Sequence, residues 1–150
     1  MFNFGQRDEK RFAALAPEQR DYMIFLTEFC REILKRCPEH FEALSCAANA
    51  LTALGCYEEG LKLDMKLQEL RPDDAGVVYN LACSLALTGQ HDAALAALAA
   101  AINLGFDDIQ HMCHDPDLEA LRNLAGFREL IRQARRSAAA MSSKAAEDGL

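Results

Sequence analysis

The sequence predicts an all-α solenoid of antiparallel helix pairs, about seven to nine helices in a single domain. Three observations lead there. Residues recur with a period of 34: Pro38 and Pro72, Gly55 and Gly89, Leu61 and Leu95, Leu70 and Leu104, and the pairs Asp73-Asp74 and Asp107-Asp108. Within each period the apolar residues follow a helical rhythm, punctuated once by Gly and once near the end by Pro or Phe. The composition agrees, with 51% hydrophobic residues and only 4 Pro and 8 Gly in 150.

The elements follow in order. Residues 7–40 read as a degenerate first repeat: a short helix over 7–15, then one helix over 17–37. Pro17 sits at the first turn of this second helix, with acids early and Lys35 and Arg36 late. Its apolar set, Tyr22, Phe25, Leu26, Phe29, Cys30, Ile33 and Leu34, is wide enough to predict burial on more than one side. The repeat 41–74 places Leu44, Ala47, Ala48 and Leu51 on one stripe. Gly55 then offers a left-handed helix end, and a second stripe from Tyr57 through Leu61, Met65, Leu67 and Leu70 is closed by Pro72. The repeat 75–108 matches it with Val78, Leu81, Ala82 and Leu85, then Gly89, then Ala94, Leu95, Leu98, Ala101 and Ile102. In residues 109–140, read as capping helices, Asp115 is placed to cap a helix with Pro116 at its first position, and Phe127, Leu130 and Ile131 give a last helix an apolar side. Residues 141–150 read as a flexible tail, so that 1–140 form the domain, with Phe2 and Phe4 as candidates to pin its start.

Both central units resemble tetratricopeptide repeats. That family has small or apolar residues at unit positions 7, 8, 20 and 27, Gly at 15, an aromatic at 17 and Pro at 32. Those positions hold Ala47, Ala48, Gly60, Leu67, Gly55, Tyr57 and Pro72 in the first unit. In the second they hold Leu81, Ala82, Ala94, Ala101, Gly89, His91 and Phe106. The chain departs from the pattern where Leu44 and Val78 replace Trp, where Leu51 and Leu85 replace an aromatic, and at Phe106. The stretch from Asp115, DPDLEALRNLAGFREL, is similar to the closing segment of many bacterial repeat proteins. The resemblance implies a concave groove lined by the first helices of successive units. It maps Glu42, Ser45, Cys46, Asn49 and Thr52, then Gly76, Tyr79, Asn80, Cys83 and Ala86, then Gln110, Cys113 and His114 to that wall.

The function expected from this architecture is non-enzymatic: a scaffold or adaptor that holds a peptide or helix of another protein. Ser45, Asn49, Tyr79, Asn80, Cys83, Gln110 and His114 are the expected partner-binding residues. Amides such as Asn49 and Asn80 both donate and accept, which suits an extended backbone or a docked helix. Members of the family that grip chain-terminal carboxylates pair two such asparagines with basic residues, and Ser45, Gln110 and His114 stand where those bases belong. A small, acidic secretion or assembly chaperone is the main rival within the binding proteins. From another class comes a thiol or zinc protein assembled from Cys46, Cys83, Cys113 and His114.

Charge and cysteine usage narrow the alternatives. The net charge of −7 disfavours nucleic acid and anionic membranes. Residues 118–136 carry five arginines against two glutamates. A place near a helix C-terminus, where the dipole stabilises cations, accounts for Arg132, Arg135 and Arg136. No apolar run is long enough to span a membrane and the N-terminus opens with charges. A cytoplasmic protein is expected, as a monomer or weak homo-oligomer, with its six cysteines reduced and no CxxC pair among them. No catalytic motif is spelled and no cofactor or resident metal is expected. The cluster HMCHDPD at 111–117 reads as the seam where a third repeat is abandoned and the cap begins.

Overall fold

A computed structural model of the chain describes residues 4–148, with side chains described to residue 140. Among the described residues it is all helical. The helices are α1 (Glu9–Ala14), α2 (Pro17–Arg36), α3 (Phe41–Ala53), α4 (Tyr57–Leu70), α5 (Ala75–Leu87), α6 (His91–Asn103), α7 (Ile109–His114) and α8 (Ala125–Asp148), with a 3₁₀ helix over Pro116–Leu121 between the last two. Helices α2 to α6 pack each against the next in chain order. The pairs α3–α4 and α5–α6 span residues 41–70 and 75–103.

Two kinds of helix end produce the pairing. At Gly55 and Gly89 the backbone is left-handed, with φ of 78° and 77°, and the next N–H reaches back to close the helix, from Cys56 to the Leu51 carbonyl and from Gln90 to that of Leu85. At Pro38 and Pro72 the preceding residues, Cys37 and Arg71, leave helical geometry at φ of −130° and −136°, as the proline ring requires. Phe106 cannot impose that stop. Gly105 takes over, at φ 103°, with the Phe106 N–H donating to the Ala101 carbonyl at 2.9 Å. The third junction thus uses the glycine device where its predecessors use proline, and the short α7 follows.

The core runs along the stack. Leu44, Ala47, Ala48 and Leu51 of α3 are buried, as are Val78, Ala82 and Ala86 of α5 and Ala94, Leu98 and Ala101 of α6. The end is sealed by Met112, Leu118, Leu121, Phe127 and Ile131, which join the α5–α6 cluster. Asp115 caps as expected, but the helix it starts is 3₁₀ and not α. The three-residue spacing of Leu118 and Leu121, both fully buried, suits a three-residue turn that stacks them on one line.

Three expectations are corrected. Helix α2 is covered on one side only: Tyr22, Phe25 and Phe29 are more than half exposed, because the six-residue α1 covers just one end, where Phe12 packs near Met23 and Ile24. Helix α8 continues to Asp148, so the backbone of residues 141–148 is helical where a tail was expected. Arg132, Arg135 and Arg136 consequently lie in mid-helix. The dipole effect is confined to the last turn and does not account for them. Phe4 joins the cluster of Leu51, Leu54 and Cys56, whereas Phe2 lies outside the described residues.

Gly55 and Gly89 share the same left-handed backbone, yet only Gly55 is crowded. A Cβ there would come within 2.8 Å of the Asp8 carbonyl oxygen, while nothing lies within 4 Å of one at Gly89. Gly89→Ala is expected to cost about 1 to 2 kcal/mol for the backbone conformation alone. Gly55→Ala should cost more in urea unfolding, and removal of residues 1–14 should bring the two costs together.

Candidate functional site on the inner face

Helices α3 and α5 share a face on which two cavities meet at Asn49. The larger, of about 490 Å³, is bounded by Met23 and Leu26 of α2 and by Phe41, Ser45, Cys46 and Asn49 of α3. The smaller, of about 110 Å³, lies between Asn49 and Thr52 of α3, Tyr79, Asn80 and Cys83 of α5, and His111 and Asp115 of the closing segment. The small residues Ala47, Ala48, Ala82 and Ala86 let the helices approach and leave the polar positions to line the surface.

Of the predicted groove residues, the structure brings together Asn49, Tyr79, Asn80 and Cys83 around the smaller cavity, with Ser45 beside Asn49 in the larger. Asn49 and Asn80 are exposed and their amides have no hydrogen-bond partner among the described residues. Tyr79 and Cys83 are different. Both are buried, at 5% and 7% exposure, and form the base of the groove instead of its open wall. Gln110 and His114 line neither cavity, and His114 Nδ1 lies 2.8 Å from the Gln110 carbonyl. Helix α7 has only six residues, too few to extend the inner face by a full unit.

The floor is organised by Asp115. Its Oδ2 accepts from the Tyr79 hydroxyl at 2.6 Å, with the Cys83 thiol at 3.8 Å and His111 Nε2 at 3.3 Å. Its Oδ1 accepts from the Asp117 N–H at 2.9 Å, and its carbonyl accepts from Arg122. The Tyr79 ring stacks on Phe106 at 4.1 Å between centroids. Burial, with the Cys83 thiol and the Asp115 carboxylate close by, pushes the Tyr79 hydroxyl well above its usual range and keeps it a donor. Burial and the charges of Asp115 and Asp117 likewise keep Cys83 a thiol. A protonated thiol is neither a nucleophile nor a metal ligand.

The proposed thiol cluster does not assemble. Cys46 borders the larger cavity beside α2, Cys83 sits under the smaller, and Cys113 faces away to a third cleft where Arg135 contacts it at 3.5 Å. Among the described residues no three His, Cys, Asp or Glu side chains stand where they would hold a metal ion.

Two features have no counterpart in the sequence reading. Asp64 of α4 is buried and its Oδ2 accepts from the Ser84 hydroxyl of α5 at 2.5 Å, a polar tie between consecutive repeats. Burial raises its pKa to about 6, against the lowering effect of Ser84. Its place between Leu61 and Leu67, about one turn from each on the apolar stripe of α4, is the sequence signal for it. The second is α1, which straps one end of the groove. Asp8 donates its N–H to the Gly55 carbonyl at 2.9 Å and accepts from the Tyr57 hydroxyl at 3.1 Å, and Arg11 pairs with Asp117 at 2.6 Å.

No family model matches the chain. One curated relative, a chloroplastic protein of Arabidopsis thaliana, is 37% identical to it over 82 residues. The match covers 53% of this chain and 24% of that protein, so the chain spans about a quarter of its relative's length.

Replacing Tyr79 by Phe keeps the stack on Phe106 and removes the donor to a buried carboxylate. A loss of about 2 kcal/mol in unfolding free energy is expected, with faster amide exchange in the 3₁₀ helix and α8. Asp64 provides a pH signature. Its folded pKa lies above the unfolded value of 3.8, so the folded state binds more protons, and this group's contribution to stability falls as pH rises from about 4 to about 6. In Asp64→Asn that fall should vanish. The stability difference between variant and wild type should then move in the variant's favour by about 2 to 3 kcal/mol across this window, measured by urea unfolding at each pH.

Proposed function

We propose that the chain is a non-enzymatic adaptor of the tetratricopeptide-repeat type that holds an extended peptide or a helix of another protein against its inner face. The observation that carries this reading is the pair of exposed, unpartnered amides, Asn49 and Asn80. They stand on α3 and α5 and both line the smaller cavity, with Asn49 also bordering the larger. Free carboxamides both donate and accept, as the groups of a peptide backbone require of a partner. The larger cavity adds apolar contact through Met23, Leu26 and Phe41, which suits an apolar side chain of the partner.

The surface available to the partner is narrower than the sequence alone implies. Ser45, Asn49 and Asn80 are its contacts, Tyr79 and Cys83 support them from below, and α1 bounds one end. Among the described residues no Lys or Arg lines either cavity, so a clamp on a chain-terminal carboxylate is not the proposed mode. Among the described residues no helix is long and apolar enough to cross a membrane. We place the protein in the cytoplasm, reading its thiols as reduced.

The test is affinity purification of the full chain from its source cell with mass spectrometry, in parallel with Asn49→Ala/Asn80→Ala. Both positions are solvent-facing, so the variant should fold as the wild type does. A specific partner recovered by the wild type should be reduced about tenfold or more with the variant, as the loss of two or more hydrogen bonds implies. Equal recovery would remove the inner face from the binding surface.

A further inference from the structure

A third cleft, of about 630 Å³, lies between α8 and the segment joining α7 to it. One side is a stripe of α8 in which two rows alternate. Phe127 and Ile131 form a buried apolar floor, and Arg128, Arg132 and Arg136 form an exposed row along its edge. Cys113 and Arg122 make the facing wall. This cleft shares no residue with the inner face.

The arginines are not explained by the fold. Arg132, Arg135 and Arg136 lie in mid-helix, beyond the reach of the dipole, and Arg128 lies in the first turn of α8, where the dipole opposes a cation. Among the described residues only Arg132 of this group has a carboxylate partner, Glu129, and Arg135 rests on the Cys113 thiol. Arg128 and Arg136 make no ion pair among the described residues, in a chain whose net charge is −7. Holding exposed cations together without partners costs repulsion, and an anionic occupant relieves it. The four-residue spacing places Arg128, Arg132 and Arg136 about 6 Å apart along one line. A second helix lying along α8 with an acidic residue at every fourth position repeats that distance, and its neighbouring apolar row meets Phe127 and Ile131.

We propose that this cleft is a second docking site, for an acidic amphipathic helix of a partner protein. The combination selects against other polyanions. Nucleic acid finds no exposed aromatic in the cleft to stack on. A flat anionic membrane does not reach an apolar floor recessed below its arginine rim.

The probe is a fluorescein-labelled, helix-forming peptide of about four turns, with Glu at every fourth position and Leu in the adjacent row, titrated with the full chain by anisotropy. It should bind, more weakly as salt rises, and Arg128→Ala/Arg136→Ala should reduce affinity about tenfold. These side chains are exposed and make no ion pair among the described residues, so the unfolding midpoint should not change. Asn49→Ala/Asn80→Ala should leave binding of this peptide intact, which separates the result from that of the inner face. The proposal is overturned if the acidic peptide does not bind or if the arginine variant binds it equally. It also fails if the same peptide with Lys for Glu, a single-stranded oligonucleotide or a phosphatidylserine vesicle binds as tightly.

Discussion

The hydrogen bond from Tyr79 to Asp115 decides how the stack ends. Repeats bury their apolar faces only against neighbours, so the last one needs a cover, and the cover here carries little regular structure of its own. Asp115 supplies the fixed point. One of its oxygens starts the 3₁₀ helix and the other reaches across to α5, so the residue that initiates the cap also anchors it. Leu118 and Leu121 then fall onto the α5–α6 core, and α8 is aimed along it. The same contact sets the floor of the inner face, because it holds Tyr79 and Cys83 down and leaves Asn80 outside.

Much of this was legible from local chemistry. Gly55, Gly89, Pro38 and Pro72 end helices through their own backbone preferences, whatever surrounds them, and a 34-residue spacing is visible without knowledge of the packing. Asn49 and Asn80 could be placed on the inner face for the same reason, since position in the unit determines the side of the helix. What escaped depends on contacts distant in sequence. Tyr79 and Asp115 are 36 residues apart and Arg11 and Asp117 are 106 apart, and neither pair follows any periodicity. The 34-residue register, carried through α7, places Gln110, Cys113 and His114 on a wall that a six-residue helix does not build. Asp64 escaped because a carboxylate among leucines reads as a solvated interruption until Ser84 is seen across from it.

The two ends of the molecule are built differently, and each difference has a physical cause. At the start, α1 is held by polar contacts and one phenylalanine with no fully buried residue, so it is attached more weakly than the repeats it touches. Beside it, Tyr22, Phe25 and Phe29 of α2 remain uncovered. At the finish, α8 seals the core and presents cations on the side away from it. The acidic charge of the chain is concentrated elsewhere: residues 38–74 carry eight acidic against three basic side chains. The inner face between these ends carries amides and small groups together with carboxylates, Glu42 at the larger cavity and Asp64, Asp115 and Asp117 at the smaller.

The assignment of the inner face as the partner-binding surface can be tested most directly by site-specific photocrosslinking in the source cell. A benzophenone side chain would be placed at Ser45 or Asn49 on the inner helix and, separately, at Lys62 or Met65, which are exposed on the following helix. The structure predicts a discrete higher-mass adduct from Ser45 and Asn49 and none from Lys62 and Met65. The same adduct from all four positions, or adducts from Lys62 and Met65 alone, would contradict it.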